Sequence, residues 1–250
     1  MQNWEGQMIK VKALAGVFFL FVCPMAHAAT CGVDTTWRVS FAELPNMDQR
    51  DGKNFLINFV KEIVDEAGVE IKYDIVPFKR SILNVATGRA DMHLPFLQPD
   101  GNAVINEKLK YSDAVFFEVP FNVYMSAKSD FAAGQIDTKN AIIETFSAHK
   151  HFFSFPVTAS DCLECSLNKV ILGRIDAFIY AAASTDSTIK KLGIDEQIRR
   201  EHYKSFPSKA VLPRTPCGEA FNAKLNALVP DARRTATHPA FRIGPPEITN

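Results

Sequence analysis

Between residues 37 and 94 the apolar positions switch period four times. Trp37–Phe41 is a short, largely apolar run that predicts a strand, ending at Ala42-Glu43-Leu44-Pro45. A polar turn at Asp48–Gly52 follows. From Phe55 to Ala67 the apolar residues fall at 55, 56, 57, 59, 60, 63, 64 and 67, which is one face of a helix, and Gly68 ends it. Ile71–Val76 predicts a second strand. Pro77 opens a helix over about 78–87, and Ala90–Leu94 is a third strand. The order βαβαβ is that of a wound, mainly parallel sheet.

Gln98–Lys110 is polar and irregular, and the aromatic stretch Phe116–Ser126, with Pro120 inside it, predicts a strand that crosses out of this unit. Residues 129–157 carry little pattern; Ala141–Phe146 fits strand or helix. Thr158–Asp161 has the composition of a helix N-cap region, with the helix over Cys162–Leu172. A strand at Ile175–Ala181, a helix near 184–192, a returning strand at Tyr203–Leu212 and a helix over Gly218–Val229 complete the reading. The last twenty residues, rich in proline, read as loop.

Two stretches repeat one another. Asn84–Phe96 and Asn168–Tyr180 each run from the last turn of a helix through Gly-Arg-x-Asp into an apolar strand. Gly88 and Gly173 sit where the chain leaves a helix with positive φ, a conformation glycine adopts without steric penalty. A helix–glycine–strand unit seen twice predicts two similar α/β lobes. Asp91 and Asp176 read as caps of the preceding turn, at the strand ends away from any cleft.

Charge narrows the function classes. Lys and Arg balance Asp and Glu at 28 each, so nothing suggests a nucleic-acid surface or a polybasic membrane patch. Lys10 and Lys12 precede the apolar run Ala13–Val22, and Ala26-His27-Ala28 supplies a small-x-small cleavage site, so residues 1–28 read as a signal peptide with Met8 as a possible start. The run is too short to span a bilayer. Removing it leaves 26 basic and 27 acidic residues and four cysteines, Cys31, Cys162, Cys165 and Cys217. An even count in a chain exported to an oxidising compartment points to disulfides.

The chain resembles extracytoplasmic solute-binding proteins of family 3. The resemblance rests on the signal peptide, the Phe55–Gly68 helix ending Asp-Glu-Ala-Gly, the block Val76–Asp91, Lys108–Phe117 and Leu167–Phe178. It implies a type II periplasmic-binding-protein fold: two lobes, each a wound mainly parallel sheet with flanking helices, joined by two crossing segments. Lobe one would be residues 29–120 plus 206–250 and lobe two 121–205, with hinges near Pro120 and Phe206-Pro207. It further implies a monomer that holds a small molecule between the lobes for an inner-membrane transporter or sensor, without a cofactor. Cys31 and Cys217 would both fall in lobe one and pair, leaving Cys162 to Cys165; the longer loop would contribute roughly 4–5 kcal/mol in the chain-entropy model. Glu43, Phe78, Arg80, Pro95, Phe96, Gln98 and Tyr180 stand at strand ends or just beyond them and are the expected ligand contacts.

Two departures bear on the ligand. Amino-acid binders of this kind carry an arginine after the third strand, and Gln98–Lys110 contains none. The aspartate that would hold an ammonium group is replaced by Tyr180-Ala181. Arg80, at a strand end and a helix start, is the alternative cation for an anionic or carboxylate-bearing ligand, with Phe78 as its apolar wall. Two other classes remain open: an enzyme on the same fold, such as a dehydratase, and a thiol oxidoreductase using Cys162-Leu-Glu-Cys165. Zinc fits poorly, because His149 and His151 lack ligand spacing to that pair. No nucleophile–base set or phosphate loop is present.

Overall fold

The computed structural model describes residues 31–43, 54–101, 105–137 and 140–236. The expected signal peptide, the turn at 48–52 and the tail beyond 236 lie outside them. Strand β1 (Thr36–Glu43) leads to helix α1 (Phe55–Ala67), β2 (Glu70–Pro77), α2 (Phe78–Ala86) and β3 (Met92–Leu97). Two long strands, β4 (Leu109–Ser126) and β8 (Ile198–Pro213), bracket β5 (Ile143–Phe146), β6 (Thr158–Ser160), α3 (Leu163–Ile171), β7 (Ala177–Ala181) and α4 (Ala182–Leu192). Helix α5 (Pro216–Thr235) follows β8.

All eight strands form one sheet in the order β2-β1-β3-β8-β4-β7-β5-β6. Pairing is parallel within β2-β1-β3 and within β7-β5-β6, and antiparallel at β3–β8, β8–β4 and β4–β7. The sheet as a whole is mixed: the outer three strands of each half are parallel, as expected, and the two long strands each enter a half whose other strands run the opposite way. Cores form on both faces of each half. Trp37, Phe41 and Phe116 of the sheet pack with Phe59 and Ile63 of α1 and Phe221 of α5, while Ala90, Leu109 and Val211 pack with Val85 of α2. In the second half, Phe121, Ile179, Phe152 and Phe206 cluster on one face, with Tyr124, Leu167, Phe178 and Ile189 on the other.

Several boundaries differ from the sequence reading, each for a local reason. Residues 109–111 belong to β4, since partners across β8 satisfy a backbone that looks irregular in isolation. Thr158–Ser160 is strand β6 rather than a cap, and the N-cap is Cys162. Helix α5 runs past Pro230 to Thr235, further than the proline content suggested. It begins tightly: a Cβ on Gly218 would lie 1.9 Å from the Pro213 carbonyl oxygen, so only glycine lets the helix turn back on the end of β8. Beside it, Cys31 is bonded to Cys217 (S–S 2.01 Å), tying the start of the described chain to α5.

The repeated Gly-Arg-x-Asp units have the same hydrogen bonds. Gly88 (φ 73°) donates to Val85 O and Arg89 to Asn84 O, while Gly173 (φ 64°) donates to Val170 O and Arg174 to Lys169 O. The aspartates do not cap these turns. Asp91 N–H donates to Arg38 O and its Oδ2 accepts from Arg38 N at 2.9 Å. Asp176 N–H donates to Ile142 O and its Oδ2 accepts from Ile142 N at 2.7 Å. Each carboxylate thus fixes the start of its own strand against the adjacent parallel strand. The correction has a physical cause: the glycine already closes the helix end, which frees the carboxylate for the strand beside it. Behind each unit, a helix serine reaches the same neighbouring strand, Ser81 to Ser40 O (2.8 Å) and Ser166 to Glu144 Oε2 (2.8 Å).

Asp91 is buried and also holds the Arg38 side chain, whereas Ile142 is exposed, so water can replace the Asp176 carboxylate. Asp91→Ala is expected to cost about 2 kcal/mol and Asp176→Ala under about 1 kcal/mol, read from urea unfolding. Equal losses would contradict the difference in burial.

Candidate functional site

The strand ends collect the sequence-predicted residues into two groups. Glu43 pairs in register with Pro77, so the ends of β1 and β2 stand level, and α2 begins at once with Phe78-Lys79-Arg80. Glu43 and Arg80 are exposed; Phe78 is 39% exposed. On β3, Pro95 is buried and Phe96 half-buried. The Phe78 and Phe96 ring centroids are 5.3 Å apart, and Tyr111 meets Phe96 edge-on at 5.5 Å. Gln98 is held by its backbone, its N–H donating to Pro207 O at 2.9 Å, which places it beside the crossing strand.

Tyr180 belongs to the second group. Its ring stacks on Phe146 at 5.2 Å and meets Phe121 at 5.8 Å and His149 at 5.5 Å. Phe146 ends β5 and Tyr180 is next to last in β7, as Phe96 is next to last in β3, so both groups lie near carboxyl ends of parallel strands. The two halves meet through β4 and β8, where Phe121 packs edge-on against Phe206 at 4.9 Å, and Lys204 on β8 pairs with Asp100 beyond β3.

Two polar groups in these surroundings, His93 and Ser208, escaped the sequence reading, and a third, His149, was weighed there only as a metal ligand. Among the described residues, the buried side-chain atoms without a hydrogen-bond partner are His93 Nε2, His149 Nδ1 and Ser208 Oγ. His93 is fully buried between Phe78 (5.2 Å) and Phe96 (5.8 Å). Ser81 Oγ lies 2.6 Å from His93 Nδ1 and donates its proton to Ser40 O, a carbonyl that can only accept. Nδ1 therefore carries the ring proton toward Ser81, and Nε2 keeps a lone pair among aromatic rings. Burial pushes the His93 pKa down to about 3, outweighing the Pro95 carbonyl, which favours the charged ring. His149 is lowered to about 4, first by burial and then by His151. Burial raises Tyr111 to about 12 and also raises Tyr180, so both hydroxyls stay protonated. Ser208 sits opposite Leu97 in register. The one signal for His93 in the sequence is a single polar residue inside the apolar strand Met92–Leu97, which by itself does not distinguish a satisfied core histidine from a site residue.

Chemically, the two groups offer aromatic surface, neutral imidazoles and hydroxyls, with Glu43 and Arg80 as charges at the edge. Among the described residues no cluster of three His, Cys, Asp or Glu is placed to hold a metal, and no helix is long and apolar enough to cross a membrane.

No protein-family model matches the sequence, and no curated protein does. Solved structures do match by fold. A histidine kinase sensor domain with similarity to periplasmic binding proteins aligns at TM-score 0.58 and 13% identity, covering 80% of this chain and 93% of that one. The L-cystine solute receptor of Neisseria gonorrhoeae, in its unliganded open conformation, aligns at 0.54 and 13%, covering 85% and 98%. The GluR0 ligand-binding core from Nostoc punctiforme, in complex with L-glutamate, aligns at 0.53 and 11%, covering 80% and 98%. The fold is thus that of two-lobed, type II periplasmic-binding-protein-like domains. These neighbours are sensor, receptor and ligand-binding domains rather than enzymes.

Buried His93 and half-buried His149 make stability depend on pH. Their folded pKa values lie below the ordinary 6.5, so the unfolded chain binds protons that the folded chain refuses. Their contribution is whole above pH 6.5 and is lost as pH falls, toward about 4 for His149 and about 3 for His93. Each is expected to lower stability by up to about 1.4 kcal/mol per pH unit in its window. His93→Gln should flatten the acid limb of a urea-midpoint profile; an unchanged slope would show that the buried ring is not what refuses the proton.

Proposed function

We propose that this chain is an exported solute-binding protein that closes two lobes over a small ligand. The supporting observation is the pair of aromatic groups, Phe78-Phe96, which Tyr111 of β4 meets, and Phe146-Tyr180, near strand ends of the two outer sets of strands that the β4–β8 pair separates. In open α/β sheets, ligands bind beyond the carboxyl ends of strands. Lobe one comprises residues to about 120 plus those from about 206, and lobe two lies between them; the division of the cores between Phe117 and Phe121 supports the first boundary, while Phe206 packs in the second core and moves the return to between Phe206 and Ala210. The protein works as a monomer in the periplasm and serves a transporter or a sensor.

The ligand is small, with an apolar or aromatic body and an anionic group. Arg80 opens α2, where backbone N–H groups already favour an anion, and Phe78 and Phe96 beside it supply the apolar wall. Glu43 and Tyr180 contact the rest of the molecule from the ends of β1 and β7, and Pro95 and Gln98 shape the floor. The missing arginine after β3 separates this ligand from ordinary α-amino acids.

A thermal-shift screen of metabolites tests the reading, since a ligand at a hundred times its Kd adds about 2.7 kcal/mol. With the strongest hit, Arg80→Ala is expected to weaken binding by on the order of 2 kcal/mol, about thirtyfold in Kd. Arg89→Ala, at the far end of β3, should leave the Kd unchanged. Parent-like binding by both variants would remove Arg80 from the site.

Closure is a separate expectation. The β4–β8 ladder shifts register between Phe121 and Asn122, a weak point where a few residues can absorb rotation. Small-angle scattering should show a smaller radius of gyration with the bound hit than without it. Superimposable curves would mean that the lobes do not close.

A further inference from the structure

The Cys162–Cys165 disulfide spans three residues and caps α3, with both cysteines exposed. Its surroundings place it with the strand ends described above. Ser160 ends β6, pairs in register with Phe146, and accepts a 3.3 Å hydrogen bond from Cys162 N–H at its Oγ; Phe146 in turn stacks on Tyr180. Within the repeat, Cys165 lies as far ahead of Gly173 as Arg80 lies ahead of Gly88. The second half of the sheet thus presents a disulfide where the first presents an arginine.

The geometry points to a thiol–disulfide exchange site at Cys162–Cys165 that accepts electrons from a low-molecular-weight thiol or a partner dithiol. Three features favour it. Both cysteines are open to attack, and exposed disulfides are the exchangeable ones. A loop of three residues recovers far less chain entropy than the 186-residue separation closed by Cys31–Cys217, so less opposes its opening. Cys165 N–H already points at Cys162 Sγ (3.2 Å) at the start of α3, so a thiolate released there is stabilised by the helix N-terminus.

The step follows from that asymmetry. A thiolate RS⁻ attacks Cys165 Sγ, forming an R–S–S–Cys165 bond as the Cys162–Cys165 bond breaks and Cys162 leaves as the stabilised thiolate. A second RS⁻ attacks the R sulfur of the mixed disulfide, releasing RSSR and the Cys165 thiolate. The protein gains two electrons and the thiols become one disulfide; of the two thiol protons, one ends on Cys165 and the other goes to solvent while Cys162 stays a thiolate.

The test uses the oxidised protein in glutathione/glutathione disulfide buffers of rising ratio, quenched with iodoacetamide and peptide-mapped. Cys162–Cys165 is expected to be half open at a ratio at least about tenfold lower than Cys31–Cys217 requires. After opening, Cys162 should alkylate at pH ~7 at least about fivefold faster than Cys165. Both disulfides opening together, Cys31–Cys217 opening first, or Cys162 reacting no faster than Cys165 would each overturn the proposal. The outcome is independent of whether any metabolite binds, so it separates this site from the solute-binding reading.

Discussion

The sheet hangs on one ladder. β4 and β8 lie side by side at its centre, and every contact between the β2-β1-β3 strands and the β7-β5-β6 strands through the sheet passes across them. Their pairing runs from Leu109↔Pro213 to Ser126↔Ile198, nearly the length of both strands. Such a ladder joins residues from 72 (Ser126 and Ile198) to 104 (Leu109 and Pro213) apart in sequence, a long-range pairing that costs loop entropy before it returns hydrogen bonds. It also sets how the two aromatic groups stand relative to each other.

Within each half the organisation is local and repeated. A glycine ends a helix, the next aspartate holds the neighbouring parallel strand, and a helix serine reaches that same strand from behind. The two copies diverge where chemistry is exposed: Phe78-Lys79-Arg80 opens α2, and Leu163-Glu164-Cys165 opens α3. The frame is held in common while the helix starts are free to differ, as expected when backbone geometry is set by glycine and carboxylate and not by the residues at the strand ends.

The site combines apolar rings with polar groups that the fold leaves unpaired. His93 is buried beside Phe96 and His149 is half-buried beside Tyr180, each with one buried ring nitrogen lacking a partner. Buried polar groups are usually satisfied, so two of them beside aromatic rings at the strand ends set this region apart from the rest of the core.

The sequence by itself determined what short-range physics controls. The apolar stripe of α1, the positive-φ glycines 88 and 173, and the short apolar strands around Met92 and Ile179 are readable because spacing and backbone sterics act over a few residues. Phe78, Phe96 and Tyr180 were legible as strand-end residues for the same reason. The tertiary structure alone decided the rest. Lys110 and Tyr111 are strand because β8 lies beside them, Asp91 and Asp176 serve a neighbouring strand because glycine had already closed the turn, and His93 is neutral because Phe78, Phe96 and Ser81 surround it. None of these is written in the local pattern, since each depends on a partner that only folding brings within hydrogen-bond or ring-contact distance.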